Sequence, residues 1–189
     1  MNWIDSAQLA RLFRGADQDM SARIDRATLA VNEAAHPAHV TAHFALDEGR
    51  RLGGLTLEGE SIRCHLEGCR EVVVGVCTLG SEIDRLLERL QLSDLALAYL
   101  VDLAAGLAVD NLAEATWRDV CRNGETAGLR VTTRFSCGYG DFPLSQQGDI
   151  LRLSGADRTL RIQVNAGGMM YPTKTITYLA GLRPAQPSD

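Results

Sequence analysis

The segment RFSCGYGDFPLSQQ, residues 134–147, places one cation, Arg134, shortly before a turn that contains Gly138 and Gly140. Glycine lets the backbone come close to a ligand, because it has no side chain and tolerates positive φ. The guanidinium group of an arginine is a planar fork of donors that suits a carboxylate. These residue types therefore indicate a site for a zwitterionic or nucleoside-bearing small molecule, with reachable backbone groups in the turn.

The same residues also allow a purely structural interpretation. In a plain strand-turn-helix connection the two glycines would serve positive-φ positions, and Asp141 would cap a helix that begins near Pro143. Arg134 would then pair with a surface acid. Residue chemistry alone leaves both interpretations open.

A second group of polar residues lies on a long alanine-rich helix. Asp102, Gly106, Asp110 and Glu114 recur every four residues, so they drift slowly around one side of the helix. Unpaired carboxylates are costly on a buried surface, which favours a solvated face. The alternative is that Glu114 faces a ligand cleft and that Gly106 lets another element approach closely.

The cysteines and histidines do not indicate a metal site. The five cysteines are an odd number without a CxxC pair, which is typical of reduced thiols. Cys64, His65 and Cys69 come nearest to a cluster, but no second pair of ligands follows at a comparable spacing. His39 and His43 alternate with apolar residues and are expected to face solvent from a strand.

Composition indicates an ordinary globular chain. The sequence has 189 residues, 46% of them hydrophobic and 23% charged, with a net charge of −5. No basic cluster is longer than Arg50-Arg51, so we expect no nucleic-acid partner. We find neither a signal peptide nor a stretch of about 18 apolar residues, and we therefore expect no membrane span and a cytoplasmic location.

The elements that must position the polar residues follow an order of strands, then long helices, then strands. A helix over 3–35 should end at His36-Pro37, and strands are expected over 40–46 and 54–59, as a hairpin or as neighbours. The run 70–80 is apolar on both alternations, which predicts a buried central strand. Two helices should follow, one over 81–91 with Ser81 and Asp84 in a near-capping box, the other over 92–124. The remaining predicted elements are strands over 128–136, 159–167 and 174–182 and a helix over 143–154.

This order predicts an α+β fold. We expect a single domain over residues 1–183 and a flexible tail over 184–189.

Four segments, in this order, resemble the activation (reactivation) domain of cobalamin-dependent methionine synthase, particularly its stand-alone versions. They cover about residues 64–182, and Arg134, Gly138 and Tyr139 form the RxxxGY pattern within the third. The resemblance implies a twisted, mainly antiparallel sheet with long helices packed against it. The segments are VCTLG at 76–80, DNLAEA at 110–115, RFSCGYGDFPL with Gln147, and GMMYPTKTIT at 168–177.

The resemblance also implies a function. The domain would bind S-adenosylmethionine and present its methyl group to cob(II)alamin while reduced flavodoxin or another donor supplies an electron. Arg134 would take the methionine carboxylate, and the backbone of Cys137, Gly138 and Tyr139 would contact the adenosine end. Glu114 stands where the family carries an acid near the ligand. No residue is implied as a catalytic acid, base or nucleophile, because positioning is the protein's contribution.

Cobalamin would be met only through a partner protein. The chain has no DxHxxG-type segment that supplies a histidine ligand to cobalt, and it is too short for homocysteine- and folate-binding domains as well. A separate methionine synthase or another corrinoid methyltransferase is therefore the implied partner, and the chain is at most an activation subunit.

The sequence departs from the family pattern at two places. Cys137 replaces a proline, and Asn165-Ala166-Gly167 stands where Thr-Glu-Ser is common. Without the rigid proline we expect Cys137 to be partly exposed and the most readily alkylated cysteine, the alternative being a buried apolar thiol. Two other functions stay open: a binding module that keeps the fold without using S-adenosylmethionine, and an unrelated α+β scaffold protein.

Overall fold

The computed structural model describes residues 2–13, 17–47 and 51–185. Contacts divide the chain into two compact units. The first contains Met1–Ala38, Cys77–Leu112 and Tyr171–Ile176, and the second contains His39–Val76, Ala113–Met170 and Thr177–Asp189. The single domain over 1–183 stays a prediction.

The helices are α1 (Ser6–Ala10), α2 (Gln18–Ala34), α3 (Glu60–His65), α4 (Glu82–Ser93), α5 (Leu95–Thr126), α6 (Gln147–Ser154) and α7 (Ala156–Thr159). A 3-10 turn, Leu144–Gln146, precedes α6. The strands are β1 (Ala38–Ala45), β2 (Arg51–Leu52), β3 (Leu55–Thr56), β4 (Glu71–Thr78), β5 (Leu129–Val131), β6 (Gln163–Val164), β7 (Met170–Tyr171) and β8 (Thr175–Pro184).

The first unit begins with two helices where one helix over 3–35 was predicted. Asp5 starts α1 with a capping box to Gln8, and the carboxylate of Asp17 caps α2 by accepting from the N–H of Met20 at 2.8 Å. Residues 14–16 of the predicted helix lie outside the described residues. The prediction of one helix was wrong because Asp17 is a second N-cap within the predicted range.

The predicted capping box at the start of α4 was also wrong. Ser81 occupies the N-cap position, but its side chain makes no capping hydrogen bond. Asp84 is buried, and its Oδ1 accepts from the N–H of Thr173 at 3.1 Å and from its hydroxyl at 2.6 Å. Asp84 therefore stabilises the segment around Thr173 instead of the helix start.

Helix α5 supplies residues to both units and ends at Thr126, two residues beyond the predicted Gly124. By length and composition alone it is apolar enough to cross a membrane, although it contains no unbroken run of about 18 apolar residues. Half of the most apolar part of this helix is buried inside the protein, as in a core helix. In the first unit its Asp102 lies 2.7 Å from Lys174 Nζ. No atom of the described residues would lie within 4 Å of a Cβ at Gly106, which contradicts the alternative of a close approach there.

The second unit is built on a four-stranded sheet in the order β1-β4-β8-β5. β5 and β8 are antiparallel, with Arg130 opposite Arg183. The central strand β4 is buried on both faces, as predicted. On β1, burial alternates and places His39 and His43 on the exposed side, which confirms their expected orientation.

The two faces of β4 contribute to different apolar clusters. Val72, Val74 and Val76 belong to a cluster with Phe142 and with residues of α3 and α6, among others. Val73 packs with Val120 of α5 and with Leu182 of β8. Gly75 has no room for a Cβ, which would overlap the Tyr178 ring, so this glycine lets Tyr178 approach the strand closely. The second unit therefore has apolar packing on both sides of its sheet.

Several short elements differ from the predicted lengths. The strand predicted over 128–136 is regular only at β5, and that predicted over 159–167 only at β6. The predicted hairpin is instead a small one between β2 and β3, and residues 48–49 of its expected turn lie outside the described residues. The helix predicted over 143–154 and the strand over 174–182 are confirmed as α6 and β8.

Candidate functional site

The candidate site lies in the second unit, where the chain leaves β5 and approaches the glycine turn. Arg134 and Glu114 are brought together there, with Arg134 Nη2 at 3.4 Å from Glu114 Oε2. Their side chains are 23% and 33% exposed, so both charges are partly shielded and still reachable from solvent. Within the second unit, Glu114 therefore faces Arg134 and is not simply a solvated residue.

Glu114 also holds a second arginine. Its Oε1 accepts a hydrogen bond from Arg118 Nε at 2.9 Å, one helical turn further along α5. The i, i+4 spacing is the one that brings helical side chains together. One carboxylate is thus shared between two guanidinium groups, and its contact with Arg118 is the shorter one.

The backbone on the C-terminal side of Arg134 forms hydrogen bonds with β8. Phe135 and Leu179 exchange both backbone hydrogen bonds, at 2.9 and 2.7 Å. The hydroxyl of Ser136 then donates to the carbonyl of Thr177 at 2.7 Å. Arg134 therefore projects from a segment that is held at the edge of the sheet.

The glycine turn has the backbone conformation that its residues predict. Gly138 has a φ of 89° and Gly140 a φ of 56°, values that other residues rarely adopt. The N–H of Gly138 donates to Phe142 O at 2.8 Å, and that of Tyr139 to Ser136 O at 3.1 Å. The expectation of free backbone donors in this turn was wrong for these two residues, because they are used inside the turn.

Asp141 caps a helix, but not the predicted one. Its two carboxylate oxygens each accept at 2.8 Å from the N–H groups of Glu60 and Ser61, at the start of α3. These hydrogen bonds, first the one from the Ser61 backbone, hold the pKa of Asp141 below its ordinary value. At Gly140 a Cβ would lie 2.3 Å from Ser61 Oγ, so the turn and α3 are in close contact.

Aromatic rings line the turn. Phe135 contacts Tyr139 edge-on at a centroid distance of 5.6 Å and His65 at 4.7 Å. Tyr139 is 56% exposed, so part of this aromatic side chain can be reached by a ligand. Burial lowers the pKa of His65, whose Nε2 lies 2.9 Å from the carbonyl of Thr133. The same Nε2 lies 2.9 Å from the hydroxyl oxygen of Thr132.

Cys137 is buried, with 7% of its surface exposed, and belongs to the apolar cluster around Val74 and Phe142. Burial raises the pKa of its thiol to about 12. The expectation of a partly exposed thiol was therefore wrong. The side chain turns into the core although the turn itself is on the surface, and a cysteine there fills apolar space.

Behind the turn, a buried amide joins two segments of the resemblance. Gln147 Nε2 donates to the hydroxyl of Thr177 at 2.6 Å and lies 3.3 Å from the sulfur of Met170. The preceding Gln146 bonds with both ends of its amide to the segment before α3, at Thr56 and Glu58. These contacts fix the start of α6 and the strands beside it.

Residues 165–167, where the sequence departs from the family pattern, lie in a loop that the Asn165 side chain stabilises by hydrogen bonds to its backbone. Asn165 Oδ1 accepts from the N–H of Gly167 at 2.9 Å and from that of Met169 at 3.0 Å. This is the local side-chain-to-backbone bonding that asparagine favours in turns. The side chain therefore stabilises its own turn.

Sequence reasoning missed two contributions to this site. The capping of α3 by Asp141 joins residues 80 positions apart, and no local signal indicates such a contact. The competition of Arg118 for Glu114 had a signal, since the two residues have the i, i+4 spacing of a helical ion pair. Among the described residues, no group of three His, Cys, Asp or Glu side chains could hold a metal ion.

The comparisons with known proteins support the fold. No protein-family model and no curated protein sequence matches the chain. Among solved structures, the MetH reactivation domain bound to AdoHcy matches with a TM-score of 0.62 and 14% sequence identity. The match covers 100% of this chain and 76% of that one. The chain therefore has the α+β fold of the MetH reactivation domain, with an antiparallel sheet and a long helix, as the sequence predicted.

Proposed function

We propose that the protein binds S-adenosylmethionine and acts as a reactivation subunit. It would support the reductive methylation of cob(II)alamin on a separate cobalamin-dependent methionine synthase or a related corrinoid methyltransferase. The observation that carries this proposal is the Arg134–Glu114 pair beside the glycine turn, in a fold that matches a reactivation domain bound to AdoHcy.

The pair matches the charges of an amino acid. The methionine end of S-adenosylmethionine has a carboxylate and an ammonium group on one carbon atom. Arg134 would take the carboxylate as a bidentate fork, while Glu114 would accept from the ammonium group. The carboxylate of the ligand would then pair with Arg134, and its ammonium group with Glu114.

The turn would hold the adenosine end. Tyr139 offers an exposed ring on which a flat base can stack. Because the N–H groups of Gly138 and Tyr139 are used inside the turn, we assign the backbone contacts of this ligand to carbonyl oxygens, which accept from an adenine amino group.

In this reaction, the role of the chain would be to orient the methyl group of the ligand. S-adenosylmethionine bound at this site would donate its methyl group to the corrinoid of the partner, to which flavodoxin or another donor would have supplied one electron. The S–CH3 bond would break, and S-adenosylhomocysteine would leave with the electron pair on sulfur. No proton moves in this transfer, so the site needs no general acid or base. The protein would contribute proximity and a fixed approach of the methyl group.

Two measurements test the proposal. Calorimetric titration should show saturable binding of S-adenosylmethionine and S-adenosylhomocysteine to the isolated chain. Mixing the chain with S-adenosylmethionine, a reductant and a cob(II)alamin-loaded partner should restore the methylcobalamin absorption spectrum. The chain alone should neither retain cobalamin nor make methionine, and stoichiometric copurification of cobalamin would contradict the proposal.

One observation favours a second candidate function, a binding module that keeps the fold without using S-adenosylmethionine. Asn165 bonds to its own loop, where the family commonly has an acid and hydroxyl groups. If the titration shows no binding and the chain still forms a complex with a corrinoid protein, this second function replaces the first. Both functions place the protein in the cytoplasm beside its partner.

A further inference from the structure

We propose that Arg130 and Arg183 form a binding site for a phosphate-type anion, separate from the candidate site described above. The two arginines lie directly opposite each other on the antiparallel strands β5 and β8, and both are exposed. Residues that are paired in this way project to the same face of a sheet, with Cα atoms about 5 Å apart. The two guanidinium groups can therefore reach one ligand.

The pair is not neutralised by the protein. Some surface arginines have an acidic partner one helical turn away, as Arg122 has Asp119 and Arg152 has Asp149. Within residues 2–13, 17–47 and 51–185, neither Arg130 nor Arg183 forms an ion pair with an acid. Like charges directly opposite each other destabilise a sheet. A bound anion would remove this repulsion.

The pair lies between two hollows of the second unit, and both hollows include the two arginines among their lining residues. The first hollow is also lined by Cys121, Glu125, Gly128, Leu129 and Val131. The second is also lined by Cys64, Glu67, Gly68 and Pro184. An anion at the pair would thus adjoin both hollows.

The chemistry favours a phosphate group over a single carboxylate. The two oxygens of one carboxylate satisfy one guanidinium fork, whereas a phosphate or diphosphate has enough oxygens to accept from two forks at once. Glu67 and Glu125, one in each hollow, would repel a long polyanion that extended beyond the pair. The site therefore suits a compact phosphomonoester or diphosphate, and not a nucleic acid.

NMR titration of the arginine Nε–Hε signals tests this site, with pyrophosphate, inorganic phosphate and AMP as probes at constant ionic strength. Pyrophosphate should shift the signals of Arg130 and Arg183 saturably and raise the unfolding temperature. Arg130→Gln and Arg183→Gln should each weaken the binding roughly tenfold or more, because each removes one charged fork. Arg122→Gln, which removes an ion-paired surface arginine, is the matched control and should bind like the native protein.

The probes also distinguish the source of the phosphate. Binding of AMP as tight as that of pyrophosphate assigns the site to phosphomonoesters, and selective binding of pyrophosphate assigns it to diphosphates. The proposal is overturned if none of the three probes shifts the two signals saturably, or if the glutamine variants bind like the native protein. Since both side chains are exposed, the variants should fold, which the remaining backbone amide signals verify.

Discussion

Arg134 and Glu114 approach each other to 3.4 Å, and the same carboxylate accepts a hydrogen bond from Arg118 at 2.9 Å. The arginine that we assign to the ligand is thus the more distant of the two that share Glu114. A ligand carboxylate can compete for Arg134 while Arg118 continues to hold the glutamate in position. The three residues act as a unit, and a variant of any one changes the charges that the other two meet.

Replacing Arg134 by lysine should weaken S-adenosylmethionine binding by about 1–3 kcal/mol, because one ammonium group cannot reproduce the bidentate fork. The fold should be retained, since the charge is kept. Calorimetric titration measures the loss. Arg122→Lys is the control, because Arg122 is an arginine of α5 that pairs with Asp119 and should leave the affinity unchanged. Equal affinity in Arg134→Lys and native protein would refute the assignment of Arg134.

Cys137 should be alkylated slowly and Cys64 quickly. Burial raises the pKa of Cys137 to about 12, so almost none of it is thiolate at pH 8, whereas Cys64 is exposed. Peptide mapping after brief treatment with iodoacetamide measures both rates in one sample. Cys64→Ser should abolish the fast phase and leave Cys137 unlabelled. Labelling of Cys137 before Cys64 would mean that the turn opens in solution.

Gly140→Ala should destabilise the protein more than Gly128→Ala. Both glycines have positive φ, 56° and 71°, so both substitutions incur a left-handed cost of about 1–2 kcal/mol. A Cβ at Gly140 would also lie 2.3 Å from Ser61 Oγ, while one at Gly128 would meet open space. Urea unfolding of the two variants measures the difference, which reports the contact between the turn and α3. Equal losses would show that Ser61 moves away without cost.

His65 should make stability depend on pH. Burial lowers its pKa in the folded state below the ordinary value of 6.5, so the unfolded chain binds the proton more readily. The contribution of neutral His65 to the free energy of unfolding is therefore complete above pH 6.5. It decreases as the pH falls through 6.5 towards the pKa of the folded state. Urea midpoints measured between pH 8 and pH 5 should show this decrease.

The comparison with a second histidine isolates this effect. His65→Gln should show a weaker dependence on pH, and His43→Gln, which changes an exposed strand histidine, should keep the native dependence. If His65→Gln retains the full dependence, another group is responsible for it.

The central part of the fold was predictable because its signals are local. β4 is apolar on both alternations, and that pattern predicts burial on two faces. α6 and β8 were also found from patterns within their own segments. The break between α1 and α2 was missed although Asp17 is a typical N-cap, because the alanine and leucine content of the whole stretch was given more weight than one capping residue.

The site was predictable only in part, for the same reason. Arg134 and the glycine turn are neighbours in sequence, and the resemblance pointed to Glu114. The capping of α3 by Asp141 and the pairing of Arg130 with Arg183 depend on strand register and chain path, which no single segment encodes. The orientation of Cys137 was missed because a turn on the surface does not determine which of its side chains point inward.

The two hydrogen bonds from the start of α3 to Asp141 make the glycine turn and this helix open together. The amide protons of Glu60 and Ser61 can exchange with solvent deuterium only when the carboxylate releases them. Their exchange rates therefore report how often the turn opens, although these two residues are distant from the turn in sequence. A ligand that orders the turn would slow these two amides, even where it touches neither of them.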